Sequence, residues 1–287
     1  MAHISEITDN FNTNDGLSIF YRHKPADNET GRMVIAHGLG EHSGRYAHII
    51  DRIVNLGVSV WAPDHRGHGQ SGGKRGHIDS MDQYINDFKK MIDIAKTDMP
   101  AGMKFFLLGH SMGGLIVLSF VESYPNSADG VIASSPGLRP GMKVPVIKGA
   151  VAKILSRIWP SLTFDNELDS NSISHDSHVV EAYDNDPLVH RNITARWFTE
   201  FLSAMESTRR SAARIKIPVL MQVAGADRLV DAETSRQFFE SLTLKNKTLF
   251  FYDGLYHEIY NEQIDDRKKV LNDLENWLSE HLGANND

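Results

Sequence analysis

The chain has 287 residues, 41% of them hydrophobic and 23% charged, with a formal net charge of −7 and no cysteine. That composition fits one large globular core or two smaller ones. It excludes disulfides, thiolate metal sites and a cysteine nucleophile, and it leaves no domain-sized basic surface for nucleic acid.

The opening MAHISEITDNF has neither a cationic start nor an apolar run of signal-peptide length, and no later window reaches the apolar length of a membrane span. A soluble, cytoplasmic protein is expected. ITDNFNT and LSIFYRHKP, around the turn-forming Asn14-Asp15-Gly16, predict two short strands. Short apolar runs then recur at 32–38, 58–64, 104–110, 130–136, 217–225 and 247–254, each ending in Gly, Asp, His or Pro, and these predict buried strands.

Between the runs lie stretches of helical spacing. Tyr84, Phe88, Met91, Ile92 and Ala95 share one face, as do Leu271, Leu274, Trp277 and Leu278. The alternation predicts an α/β fold, a mostly parallel sheet covered by helices on both faces. It breaks between about 137 and 203, where no strand is expected. That stretch reads as a helical cap inserted into a sheet domain made of 1–136 and 204–287.

Two segments fit the nucleophile pattern G-x-S-x-G: Gly69-Gln70-Ser71-Gly72-Gly73 and Gly109-His110-Ser111-Met112-Gly113. With 22 glycines in the chain the pattern alone is weak, so the flanks decide. Ser111 directly follows the apolar run 104–108 and precedes a helical run that lasts to about Pro125, which puts it on a strand-to-helix turn. Ser71 has neither flank and reads as a turn serine. Ser111 is therefore the expected nucleophile.

A serine needs a base and an acid to orient that base. His257 follows the last apolar run in a loop, whereas His281 belongs to the terminal helix and reads as a surface residue. Asp227 follows the run 217–225 directly. Its rivals are better explained otherwise, Asp231 as a helix N-cap and Asp253 as a turn residue. For the oxyanion, the backbone amide of Met112 and that of Leu39, within His37-Gly38-Leu39-Gly40, are the expected donors.

His37-Gly38-Leu39-Gly40-Glu41-His42-Ser43-Gly44-Arg45-Tyr46, Asp64-His65-Arg66-Gly67-His68-Gly69-Gln70-Ser71, Gly109-His110-Ser111-Met112-Gly113-Gly114, Ala226-Asp227-Arg228 and Tyr256-His257 resemble the monoacylglycerol lipase and lysophospholipase family of α/β-hydrolases. The resemblance spans about residues 12–282 and includes Tyr183-Asp184-Asn185-Asp186-Pro187-Leu188 in the insertion. It implies the α/β-hydrolase sheet with a cap, and cleavage of a lipid ester through an acyl-enzyme without a cofactor. It places nucleophile, acid and base on Ser111, Asp227 and His257. It also implies that Glu41 and Arg45 face the glycerol end of a monoglyceride. Three residues beyond the histidine, where eukaryotic members tend to carry a second histidine near the alcohol pocket, this chain has Tyr260.

Two readings within the cap remain. His175-Asp176-Ser177-His178 has metal-ligand residue types, but in so polar a run it reads as a solvated loop. Ile147, Ala150, Val151, Ile154, Leu155 and Ile158 recur at helical spacing among Lys143, Lys148, Lys153 and Arg157, with Trp159 at the end. Such a stripe fits transient contact with a membrane surface, or else packing against the sheet domain with the lysines as its solvated face.

Overall fold

A computed structural model describes residues 5–142 and 146–283, the side chains of 146–148 excepted. The chain opens with strands β1 (Ile7–Asn12), β2 (Ser18–Lys24) and β3 (Gly31–Ala36), then helix α1 (Ala47–Asn55), strand β4 (Val58–Pro63) and helix α2 (Met81–Ala95). Strand β5 (Lys104–His110), helix α3 (Met112–Ser123) and strand β6 (Gly130–Ser134) follow. The intervening segment holds α4 (Val146–Ile158), β7 (Thr163–Asp165), α5 (Ser177–Asn185), β8 (Asn192–Thr194) and α6 (Ala195–Ser211). The chain then returns through β9 (Val219–Ala224), α7 (Ala232–Ser241), β10 (Lys247–Tyr252) and α8 (Ile264–Leu282).

Eight strands make one sheet in the order β1-β2-β4-β3-β5-β6-β9-β10. The β1–β2 and β2–β4 pairs are antiparallel, and every pair from β4 to β10 is parallel. Period-two alternation sends Phe105 and Leu107 of β5 to one face, with α2, α3 and α7, and Phe106 and Leu108 to the other, with α1 and α8. Both faces are thus buried, which is why these strands read as unbroken apolar runs.

The six expected strands and both helical faces are present, but β10, at the edge of the sheet, is only half-buried before Tyr252. Residues 137–203 differ from expectation, because β7 and β8 pair there as a small antiparallel ladder. Each spans three residues, too few to show a period. Helix α6 runs unbroken across 203/204, and Trp197, Met205 and the following Ala212 join the core cluster of α2 and α3.

The stripe on α4 packs only in part. Ala152 and Ser156 are buried, and Ser156 Oγ lies 2.8 Å from Thr199 Oγ1 of α6. Val151, Ile154 and Ile158 face outward instead, at 48%, 59% and 74% exposure, as does Trp159 at 59%. Lys143 and the side chains of Ile147 and Lys148 lie outside the described residues. Among the described residues no helix is long and apolar enough to cross a membrane.

Candidate active site

Strand β5 ends at His110 and α3 begins at Met112, so Ser111 alone turns the chain from strand to helix. It does so with φ 53° and ψ −115°, a left-handed conformation that costs a non-glycine residue of the order of 1–3 kcal/mol. The neighbouring glycines make the turn possible. A β-carbon on Gly109 would lie 2.2 Å from the Gly113 carbonyl oxygen, and one on Gly113 would lie 2.0 Å from that of Ala36. Strand and helix therefore approach to a distance that any side chain would block.

Asp227 stands just beyond β9, and His257 lies in the loop after β10. The two side chains meet at 2.6 Å, between His257 Nδ1 and Asp227 Oδ2. A carboxylate can only accept here, so Nδ1 carries the proton and Nε2 is left as the acceptor. The other carboxylate oxygen of Asp227 receives the backbone N–H groups of Leu229 and Val230 at 2.8 and 2.9 Å, which fixes its orientation. Burial works against a charged imidazole at His257, but the charge and hydrogen bond of Asp227, with the charges of Glu258 and Glu41, raise its pKa above the ordinary value.

Ser111 and His257 open onto one cavity of about 770 Å³. No hydrogen bond joins Ser111 Oγ to His257 among the described residues; in unliganded sites such contacts are often loose and tighten around substrate. Leu39 lines the same cavity, while the side chain of Met112 is fully buried beneath the turn. The Gly38 N–H is already spent on Glu41 Oε1 at 2.6 Å. The amides of Leu39 and Met112 enter none of the described hydrogen bonds.

The cavity wall is mostly apolar, with Trp197, Phe198, Phe201, Leu202 and Met205 from α6 and Leu229 and Val230 from the loop after β9. Glu41, His110, Tyr183 and Glu258 form its polar end beside the nucleophile, and further polar lining comes from Asn166, Asp169, Ser170 and Ser172 and from Arg228 after β9. Arg45 lies behind that end rather than in it, bonded to Glu41 and Glu258. Burial would push the Glu41 carboxyl up, yet the charges of Arg45 and His110 and the hydrogen bonds from Tyr46 and Gly38 bring it below its ordinary value. His110 is held down, to about 4, by burial and by His257 beside it.

The rival residues are engaged elsewhere. Ser71 is buried, accepts the Phe20 N–H at 2.9 Å and donates to the Asp64 carbonyl oxygen at 2.6 Å. Asp231 caps α7 by accepting the Thr234 N–H. His281 stacks on Trp277 within α8. His175 faces the buried carboxylate of Glu262 at 2.8 Å. Tyr260, which stands where eukaryotic relatives tend to carry a second histidine, does not line the cavity: it is 3% exposed, belongs to the core cluster that includes α8, and donates to Gln222 Oε1 at 2.6 Å.

Sequence reasoning did not single out Glu258, Tyr183 or His110 as site residues. Glu258 and Arg45 are 213 positions apart, and no spacing rule links them. The link between core and cap was equally hidden, where His42 Nε2 meets Asp186 Oδ2 at 2.8 Å.

Comparisons with known proteins show the family. Residues 27–264 match the family described as "Serine aminopeptidase, S33". A monoacylglycerol lipase of Mycolicibacterium smegmatis is 36% identical over 259 residues, covering 90% of this chain and 91% of the relative. The phospholipase YtpA of Bacillus subtilis is 38% identical over 240 residues, covering 83% and 91%. The crystal structure of Paleococcus ferrophilus monoacylglycerol lipase is 37% identical, covers 97% of this chain and 100% of its own, and superposes with a TM-score of 0.83.

Proposed function

The chain belongs to the serine aminopeptidase S33 family of α/β-hydrolases and is a carboxylic ester hydrolase, and from that premise we propose that it cleaves monoacylglycerol to fatty acid and glycerol. The observation that carries this reading is the two-ended cavity at Ser111 and His257, apolar along α6 and polar at Glu41 and Glu258. An acyl chain and a small polyol are the two halves that such a cavity matches.

In the proposed mechanism His257 Nε2 takes the proton from Ser111 Oγ as the oxygen attacks the ester carbonyl carbon. The resulting oxyanion is received by the N–H groups of Leu39 and Met112, which cost no reorganisation as charge develops. Collapse of the tetrahedral intermediate breaks the bond to glycerol, whose oxygen takes the proton back from His257. A water molecule, deprotonated by the same nitrogen, then attacks the acyl-serine; the bond to Ser111 Oγ breaks, the fatty acid leaves, and Oγ takes the proton back from His257. Asp227 holds the tautomer that makes Nε2 available and stabilises the imidazolium formed in each half.

The cap (137–203) forms the roof in this reading, and its outer face delivers substrate. Of the eight exposed large apolar residues among those described, Val151, Ile154, Ile158 and Trp159 lie on α4 or directly after it. An apolar patch edged by Lys153 and Arg157 suits transient contact with an anionic lipid surface.

A panel of mono-, di- and triglycerides and lysophospholipids of graded chain length tests the function. Hydrolysis is expected to be greatest on monoglycerides. Equal rates on every class, or cleavage restricted to short soluble esters, would overturn it.

A further inference from the structure

Two arginines stand at this cavity: Arg228 lines it with its guanidinium over the ring of Tyr256 at 4.6 Å, and Arg45, behind the wall, is held by the two carboxylates beside the nucleophile. Arg45 Nη1 and Nη2 each donate to Glu258 at 2.7 Å, one to each carboxylate oxygen, in the parallel two-bond geometry that a guanidinium also uses to hold phosphate. Nη1 makes a further bond to Glu41 Oε2 at 2.6 Å. The ring of Tyr183 covers the guanidinium face at 4.8 Å. Glu258 is itself fixed from three directions, by Arg45, by Asn261 Nδ2 at 2.8 Å and through its backbone N–H to the Ile173 carbonyl of the cap. These groups are all nearly buried, with side-chain exposures of 11% for Arg45, 4% for Glu41 and 6% for Glu258.

What the cavity presents at this end is therefore acceptor oxygens. Glu41 stands close to the nucleophile, since a methyl group on Gly38 would lie 2.8 Å from Glu41 Oε1 and 3.4 Å from Ser111 Cβ. Two carboxylates against one guanidinium leave the cluster with a formal charge of −1. A free hydroxyl of an alcohol leaving group donates to such oxygens readily. A dianionic phosphate has no proton to offer them, repels them, and finds the guanidinium of Arg45 already bridged by Glu258 and Glu41.

We propose that Glu258 is the specificity-determining residue of the alcohol subsite: by occupying Arg45 it admits an uncharged polyol leaving group and rejects one that carries phosphate. This inference rests on the reading of the site as a monoacylglycerol hydrolase and adds to it the class of head group refused. Exclusion of this kind comes from an unfavourable charge and a missing donor rather than from an added contact.

The test compares kcat/KM for 1-oleoylglycerol and 1-oleoylglycerol 3-phosphate, which share acyl chain and ester, in mixed micelles of a neutral detergent. The whole protein is expected to prefer the uncharged ester by about a hundredfold or more, the scale of like-charge exclusion in a buried site. Glu258→Gln removes a charge and loosens the two-bond grip on Arg45. It should narrow that ratio by about tenfold, with the gain mostly in KM for the phosphate ester. Adding Arg45→Gln to Glu258→Gln should abolish the gain, a reversal that a merely structural role for Glu258 would not produce.

A parent enzyme that cleaves both esters equally well, or a folded Glu258→Gln protein with an unchanged ratio, overturns the inference and leaves the functional reading standing. Failure of the parent to cleave 1-oleoylglycerol at all overturns the functional reading and the inference with it. Should Glu258→Gln not fold, the parent's own ratio decides.

Discussion

The segments around Ser71 and Ser111 carry the same five-residue pattern and end in opposite settings. Ser71 sits in a glycine-rich loop, where its hydroxyl closes two hydrogen bonds, one from Phe20 N–H and one to the Asp64 carbonyl. Ser111 has no such duty: it is held at φ 53° between a buried strand and a buried helix, with its side chain on the cavity. Pattern alone does not make a nucleophile. The case for Ser111 as the proposed nucleophile is the strand that delivers it and the helix that starts immediately after it, which together put its hydroxyl on a strained turn at the cavity.

The sharpest way to break that comparison is to delete each hydroxyl. Ser111→Ala should lower ester turnover by about four to six orders of magnitude. Ser71→Ala should leave most of the activity and lower stability instead, by about 1–3 kcal/mol, because it strands the buried Phe20 N–H. Turnover on a soluble ester and a thermal melt of each variant suffice. Similar losses of turnover in both would remove the basis for choosing Ser111.

A second pair, Asp227 and Asp231, extends the comparison to carboxylates four residues apart. In Asp227→Asn the side-chain amide meets His257 Nδ1 with a donor where an acceptor stood, which reverses the tautomer, and a loss of about ten-thousand-fold in turnover is expected. Asp231→Asn should be nearly silent, since asparagine caps a helix about as well as aspartate. If the two effects came out exchanged, Asp231 would be the acid.

Much of this was legible in the sequence, for identifiable reasons. The parallel strands announced themselves as apolar runs because both faces are covered, and Ser111, Asp227 and His257 could be named because each directly follows such a run. Other features left no local trace. Strands β7 and β8 are three residues each and polar in part. Arg45 and Glu258, like His42 and Asp186, are brought together by the cap and the last loop from positions 213 and 144 residues apart. Charge partners at such separations have no periodicity to betray them. The buried setting of Tyr260 was hidden for a related reason, since an offset of three from His257 says nothing about which way a loop turns.

Histidines at and below the site separate two effects of acid. His257 must be neutral to accept the serine proton, and its folded pKa lies above the ordinary 6.5. Activity should therefore be full at higher pH and decline as pH falls through that raised value, beginning close to neutrality. Because Glu258 contributes to the shift, Glu258→Gln should move this limb to lower pH. Buried His37 and His110 are depressed instead, to about 3 and about 4, chiefly by burial. Above pH 6.5 they are neutral in both the folded and unfolded chain. Below it the unfolded chain takes up protons that the folded one refuses, so stability should fall from pH 6.5 toward 4 and 3. Rate profiles and melts across this range should show activity failing first and reversibly. Coincident loss of both would mean that the limb reports unfolding.

The smallest expected effect concerns α4, where one helix poses in its two faces the same problem as the two serines. Its apolar stripe could be core or contact surface, and its periodicity is identical in either case. The structure divides it: Ala152 and Ser156 are buried, while Val151, Ile154 and Ile158 point outward beside Trp159. Burying an isoleucine side chain is worth about 1.5–3 kcal/mol when complete, and partial immersion in the headgroup region recovers a fraction of that for each residue. Ile154→Ser with Ile158→Ser should thus weaken co-sedimentation with anionic vesicles by about ten- to a hundredfold and slow hydrolysis of a long-chain monoglyceride presented in them. Lys153→Glu should act in the same direction, more weakly, and its effect should fade with added salt. Turnover of a soluble butyrate ester should stay within about twofold, because neither isoleucine lines the cavity and exposed substitutions usually move stability by about 0.5 kcal/mol or less. Negligible vesicle binding by the parent, or equal losses on the soluble and the membrane-borne ester, would assign the outward face no part in substrate delivery.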